Sequence, residues 1–399
     1  MKEKFPGHFK LSDEEIREMW ESGIFVLDAN ILLNLYRYSD DTRRQFLKIL
    51  RRLKSRVWIP HQAAKEYLKN RLGVIGQQEK AYEQTIDAID KIETDLKSKR
   101  QHPFLSDKSL ESLCRSFEAV KKELDKSKSS HTDLIADDKI LDSIESLIGG
   151  RIGEGFDDKA LEAIAKEGET RYASNIPPGY KDASKKSDGD PYRKFGDLII
   201  WKEVLEKAKS ENKNTILVLD DKKEDWWLKF QGNTIGPQPS LAEEFIKETG
   251  QNFHMYVADR FLAYAGEFLQ EDVSVPALEE LKKLREIEEI KSRDKREILR
   301  RRRMKERYQM LREELPEIEA ELSMLNQQRR FFDDEMKHLH DNNPERANHE
   351  FRRSREKVIE LEQREMMMKE KMHHIMAELS DLESYEGKRE PTRRWRTTI

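Results

Sequence analysis

The chain has 399 residues, enough for two domains or for one core with an extended arm; its composition, 39% charged and 36% hydrophobic, is polar for a globular protein without being disordered throughout. A formal net charge of −4 hides any local basic surface, so a nucleic-acid partner is not excluded, whereas the single cysteine, Cys114, excludes an internal disulfide framework and a cysteine-built zinc site. No apolar run reaches membrane-spanning length and residues 1–20 lack the apolar core of a signal peptide, so a cytoplasmic protein without a membrane partner is expected.

Residues 11–20 set Leu11, Ile16, Met19 and Trp20 among acids, which predicts a short helix leading into the first strand. That strand, Ile24-Phe25-Val26-Leu27, is apolar throughout, as a buried parallel strand is, and it stops at Asp28. An acid at the carboxyl end of a central parallel strand faces the crevice where open α/β sheets hold ligands. Taken alone, Asp28 reads first as the cap of the helix begun by Ile31-Leu32-Leu33. Helical spacing returns over residues 42–53, and Arg56-Val57-Trp58-Ile59-Pro60 reads as a second short strand. His61 then opens a helix with Glu66 in its second turn.

From about 77 to 173 the pattern is of long amphipathic helices: one through Tyr82, Ile86, Ile89 and Leu96, one over 110–124, one over 140–148 closed by Gly149-Gly150. This helical insertion carries no recognisable chemistry, and His102 and His131, in loop-like surroundings, lack ligand spacing. Ile176-Pro177-Pro178-Gly179-Tyr180-Lys181-Asp182 reads as a rigid turn and 183–191 as a mobile loop. Gly196-Asp197 opens an apolar helix to about 209, and Thr215-Ile216-Leu217-Val218-Leu219 is the clearest strand, ending on Asp220-Asp221. A helix over 241–249, a strand over 252–257 and a helix over 259–269 complete the alternation. It predicts an α/β domain over 1–270 with a central parallel sheet between layers of helices.

Residues 271–399 differ. Met304, Tyr308, Leu311, Leu315, Ile318, Leu322, Leu325, Phe332, Met336 and Leu339 alternate three and four apart, with Arg329 in the skipped position. Asp341-Asn342-Asn343-Pro344 breaks this seam, and a second runs from Phe351 to Leu382, so an antiparallel coiled-coil hairpin is expected. Pro316 is expected to kink or divide the first helix. The Arg300–303 run and the Arg393-Arg394-Trp395-Arg396 tail read as solvated surface. The hairpin is the natural place for a homodimer or a protein partner.

The chemistry lies in the acids. Asp28, Asp220-Asp221, Asp197 and Glu66 occupy positions that such a sheet brings together, and gathered carboxylates repel unless a cation neutralises them. Oxygen ligands without cysteine or paired histidine suit Mg²⁺ or Mn²⁺, and the usual work of such a cluster is metal-assisted phosphoryl chemistry. Trp58, Trp201 and Trp226 read as core.

Five blocks carry a resemblance. Phe25-Val26-Leu27-Asp28-Ala29-Asn30-Ile31-Leu32-Leu33-Asn34-Leu35-Tyr36, Ile59-Pro60-His61-Gln62-Ala63-Ala64-Lys65-Glu66-Tyr67, Pro177-Pro178-Gly179-Tyr180-Lys181-Asp182, Gly196-Asp197-Leu198-Ile199-Ile200-Trp201 and Leu219-Asp220-Asp221-Lys222-Lys223-Glu224-Asp225-Trp226-Trp227 resemble the bacterial PIN-like domain family of the PIN/FEN nuclease superfamily. The resemblance covers about 10–270 and implies a PIN-like three-layer α/β/α fold and a divalent-metal-dependent nuclease, an endoribonuclease first, leaving a 5′-phosphate and a 3′-hydroxyl. It implies that Asp28, Glu66, Asp197 and Asp221 are the acidic metal positions. Leu219 stands where the family commonly has a hydroxyl, so Asp221 ranks above Asp220 and both are kept; Asp225 is a further candidate ligand or a local structural acid. Asp182 lies near the site or only holds its turn. Lys181, Arg193, Lys194 and Lys222 flank the acids as phosphate contacts, and Tyr180 is placed to stack on a base, each weighed against a plain solvated surface role. The competing readings are a catalytically silent scaffold, a nuclease acting on single-stranded or structured DNA, and a phosphatase-like hydrolase of nucleotides. A role in toxin-type or anti-phage defence is open to the family but argued by no residue here.

Overall fold

Every residue of Ile24-Phe25-Val26-Leu27 is buried, so both faces of that strand must be covered, and the computed structural model shows by what. It describes residues 1–98, 105–185, 189–221, 223–231, 233–342 and 347–387. In chain order the elements are α1 (Asp13–Ser22), β1 (Ile24–Leu27), α2 (Ala29–Asn34), α3 (Asp40–Arg52), β2 (Val57–Trp58), α4 (His61–Lys97), α5 (Asp107–Asp133), α6 (Lys139–Ile148) and α7 (Asp158–Ala173). There follow α8 (Gly196–Glu211), β3 (Thr215–Val218), β4 (Trp227–Phe230), β5 (Asn233–Pro237), α9 (Pro239–Thr249), β6 (Phe253–Tyr256), α10 (Ala258–Leu269), α11 (Val275–Asn342) and α12 (Ala347–Gly387).

The main sheet has the order β2-β1-β3-β6, parallel throughout, with Leu27 level with Val218. On one face Trp20 of α1 and Phe261 of α10 pack on Phe25, and Phe46 of α3 packs on Phe261. On the other, Trp201 of α8 and Phe245 of α9 close on Phe253. The expected sheet between two helical layers is therefore present. The chain leaves β1 toward β2 and later crosses to β3 on its other side, so the β1/β3 boundary is the switch point where strand ends open a crevice.

Several elements differ from the expectation. The helix opened at His61 does not stop before the insertion but runs on through it to Lys97, with Gly73 and Gly76 inside it. It pairs with α5, where Lys121 reaches Asp90 at 2.9 Å and Glu93 at 3.0 Å. His131 lies in the last turn of α5 rather than in a loop, and His102 lies outside the described residues. An antiparallel ribbon, β4–β5, follows the second acidic strand end and was not foreseen. Its residues show no clean alternation: Trp227 is buried, while Lys229 and Phe230 are exposed. The loop expected over 183–191 lies partly outside the described residues.

The chain divides into two compact units, Met1–Glu289 and Ile290–Ile399. The first turns of α11 belong to the first unit, beyond the boundary expected at 270. Ala277 and Leu281 are buried there, Glu280 accepts from Ser39 Oγ and Thr42 Oγ1 at 2.6 Å, and Arg285 pairs with Asp259. In the second unit α11 and α12 run antiparallel: Arg307 meets Glu378 at 2.8 Å while Glu335 meets Ser354 at 2.8 Å. Leu311, Ile318, Leu322 and Ile375 fill the seam between them, and Arg329 sits against Glu365. Pro316 does not divide α11; it is exposed, so water can satisfy the carbonyl its ring leaves unpaired. The Arg393-Arg394-Trp395-Arg396 tail lies outside the described residues. Among those residues no helix is long and apolar enough to cross a membrane.

One histidine of the sheet gives a stability test away from the acids. Burial holds His254 of β6, edge-on to Tyr256, down at about 4. The unfolded chain takes up a proton near 6.5 that the fold refuses until about 4, so stability is full above that window and falls as pH drops through it. His254→Phe is expected to shrink the loss of urea-unfolding stability between pH 7 and pH 4.5 by about 2 kcal/mol.

Candidate active site

Two strand ends open the site. Asp28 follows β1, and its backbone N–H donates to Val218 O of β3 at 3.1 Å, which fixes it at the switch point. The cap and the crevice roles coexist, because Asp28 Oδ2 accepts from Asn30 N at 3.1 Å at the start of α2 while the residue faces the other acids. Its carboxyl is pushed up to about 7, first by burial and then by Glu66, with Asp197 and Asp221 adding to the crowding.

Glu66 comes from the second turn of α4, where Oε1 accepts from Gln62 Nε2 at 2.7 Å. A Cβ on residue 196 would stand 2.7 Å from that same oxygen, so glycine at the start of α8 leaves the room Glu66 occupies. Burial, and after it the Asp197 charge, raise the Glu66 carboxyl. Asp197 lies one residue further, in the first turn of α8, and Oδ2 accepts from Trp226 Nε1 at 3.3 Å. Burial alone would raise it, but Lys223 and then Lys185 hold it below the usual carboxylate range.

Asp220 and Asp221, adjacent after β3, take different roles. Asp220 turns to the framework: Oδ1 accepts from Ala258 N at the start of α10 and Oδ2 from Asn34 Nδ2, both at 2.8 Å. Asp221 turns to the crevice and is raised by burial, and its backbone carbonyl accepts from Trp227 Nε1 at 2.7 Å. Asp225 is fully buried and holds the Pro-Pro-Gly turn, accepting from Gly179 N at 3.0 Å and Lys181 N at 3.1 Å. Its Oδ1 has no hydrogen-bond partner among the described residues, and burial, with Asp197 next, raises it to about 6.

The unforeseen member of the site is Lys223. Its Nζ stands 2.7 Å from Asp221 Oδ2, 2.8 Å from Asp182 Oδ2 and 3.3 Å from Asp197 Oδ2, with only 14% of the side chain exposed. Lys185 also reaches Asp182, at 2.5 Å. Among the described residues no three carboxylates or imidazoles are already gathered in coordinating geometry, and the ammonium lies among the acids instead. The donor set itself is all hard oxygen and carries more negative charge than the two ammonium groups neutralise, which fits a divalent cation such as Mg²⁺ or Mn²⁺. In sequence Lys223 is one more member of a charged run, and nothing separates it from a solvated loop. Glu203 was missed as well: buried on α8, it accepts from Gln62 N at 3.2 Å, so it anchors the start of α4, and burial raises it to about 7.

The flanking groups lie toward the surface. Lys181 pairs with Glu224 at 3.0 Å and lies over the Tyr180 ring, Lys194 pairs with Glu169 at 2.6 Å, and Arg193 is exposed. Lys222 lies outside the described residues. Trp58, Trp201 and Trp226 are core, as expected.

The two kinds of acid should separate in the ion-free protein. Asp28→Asn keeps the cap and removes a crowded charge, so in EDTA at pH 8 it is expected to stabilise by roughly 1–3 kcal/mol. Asp220→Ala strands the Ala258 and Asn34 donors and is expected to cost roughly 2–4 kcal/mol. Denaturant melts of both variants check the opposite signs.

No curated protein and no solved structure matches the chain significantly. The family model described as the PIN like domain matches residues 24–241, from the first residue of β1 into α9 and across all the acids above. With more than half its length inside that match, the chain belongs to the PIN-like domain family.

Proposed function

We propose that the protein is a divalent-metal-dependent nuclease that hydrolyses phosphodiester bonds, RNA ahead of DNA, at the β1/β3 crevice. One observation carries the reading: Asp28, Glu66, Asp197 and Asp221 come from separate elements close enough that, after its own burial, the other three acids help push the Asp28 carboxyl up to about 7. Membership of the PIN-like family supports nucleic acid as the substrate class.

In this reading Asp28, Asp197 and Asp221 hold Mg²⁺ or Mn²⁺, and Glu66 either joins them or orients the attacking water. When bound, the ion lowers the pKa of a water and lends Lewis acidity to a phosphoryl oxygen. Asp220 and Asp225 contribute by fixing the backbone around Asp221 and the Pro-Pro-Gly turn. Lys181, Arg193 and Lys194 hold neighbouring phosphates. For Lys181 and Lys194 that means exchanging Glu224 and Glu169 for a phosphate, and the exchange is cheap because exposed ion pairs contribute little. Tyr180, beside Lys181, offers a face for a base. The C-terminal hairpin is the segment we assign to pairing with a second copy or a protein partner. Met310, Met324 and Phe331, exposed and spaced in multiples of seven, support that assignment.

Labelled single-stranded RNA and DNA, each with Mg²⁺, Mn²⁺ or EDTA, test the reading. Cutting that needs the ion and falls at least about 100-fold in Asp28→Asn is expected. A folded wild-type protein that cuts neither polymer would favour a silent scaffold, and cutting that survives Asp28→Asn would put the site elsewhere.

A further inference from the structure

Lys223 contacts three acids of the crevice at once and has no role in the reading above. Its ammonium is in contact with Asp221, Asp182 and Asp197 together, which is where three hard-oxygen donors are closest to serving one positive charge. Two of those three, Asp197 and Asp221, belong to the acids assigned to the metal, and on each the ammonium holds Oδ2, so an ion that takes those oxygens must displace it. The third, Asp182, is buried, and it lies on the same wall with Lys185 already at 2.5 Å.

We infer that Lys223 is a tethered competitor for the divalent-cation position, so that loading the site requires its ammonium to leave Asp197 and Asp221 while Asp182 remains its counter-charge. The inference rests on the metal-dependent reading of the cluster. It also makes Lys223 a specificity-determining residue. At Asp197 and Asp221 a monovalent ion replaces one positive charge with one positive charge and gains little electrostatically. A divalent ion adds a charge to a cluster that repels itself, and in a buried site that difference is large. The tether further accounts for how the ion-free fold tolerates these acids: the compensating charge is supplied by the loop that carries Asp221, two residues on.

The test uses the full chain and Mn²⁺ as the probe, with free Mn²⁺ read by electron paramagnetic resonance in wild type, Lys223→Gln, Lys185→Gln and Asp221→Asn. Lys185→Gln is the control: it removes the same charge from a group on Asp182 without vacating Asp197 or Asp221. Lys223→Gln is expected to bind Mn²⁺ about tenfold or more tightly than wild type, Lys185→Gln to change affinity by much less, and Asp221→Asn to bind weakly. In EDTA, Lys223→Gln is expected to melt below wild type. A second measurement needs no variant: acetylation of Lys223 in the wild-type protein, read by mass spectrometry, is expected to rise several-fold when Mn²⁺ is added. Equal or weaker binding by Lys223→Gln, a Lys185→Gln effect of the same size, or Lys223 acetylation indifferent to Mn²⁺ would overturn the competition and leave the metal site standing. Absence of Mn²⁺ binding by both wild type and Lys223→Gln would overturn the metal reading and this inference with it.

Discussion

Each carboxylate that the fold sends to the β1/β3 crevice makes the next one harder to accommodate. Asp28 shows the effect: buried, and facing Glu66, Asp197 and Asp221, it is held near neutral pH rather than near its ordinary value. Burial costs a charged group its water, and neighbours of like sign add repulsion that the protein interior screens poorly. A fold keeps such an arrangement only with compensating positive charge. Here part of it is internal, in Lys223 and Lys185, and the remainder is what the proposed divalent ion would supply.

Much of the surrounding architecture can be read as support for that crowding. Parallel pairing sets the ends of β1 and β3 side by side. Gly196 gives up a side chain so that Glu66 can reach in, and Glu203 anchors the turn of α4 from which Gln62 steadies the Glu66 carboxylate. The paired tryptophans tie the loop after β3 down: Trp226 donates to Asp197 of α8 and Trp227 to the Asp221 carbonyl. Asp225 spends its carboxylate on the Pro-Pro-Gly turn that borders the same space. These groups also explain why the loop needs so many polar residues in a buried setting.

The parts legible in the sequence were those with a local signal. Apolar runs ending on acids marked the two central strands, and the Gly-Asp start of α8 marked the third side chain of the cluster. What stayed hidden depended on contacts between distant segments. Asp220 and Asp221 are indistinguishable by type and spacing, and only the position of α10 and Asn34 turns one into framework. Lys223 sits in a charged run that matches any surface loop. Glu203 lies on α8 between Lys202 and the later Glu206 and Lys207, where its hydrogen bond to the start of α4 has no signature. The β4–β5 ribbon lacks the alternation that marks a strand, and the first turns of α11 dock not only through buried Ala277 and Leu281 but through Glu280 and Arg285, charged residues that a hydrophobic pattern passes over.

In the proposed reading the acids after β1 and β3, with those of α4 and α8, form one cation site shared with an internal ammonium. Anomalous diffraction from crystals loaded with Mn²⁺ tests it most directly. A manganese peak is expected about 2.1 Å from oxygens of Asp28, Asp197 and Asp221, with the Lys223 ammonium withdrawn from Asp197 and Asp221. A peak elsewhere, or no peak while Lys223 keeps its three carboxylates at saturating Mn²⁺, would contradict it.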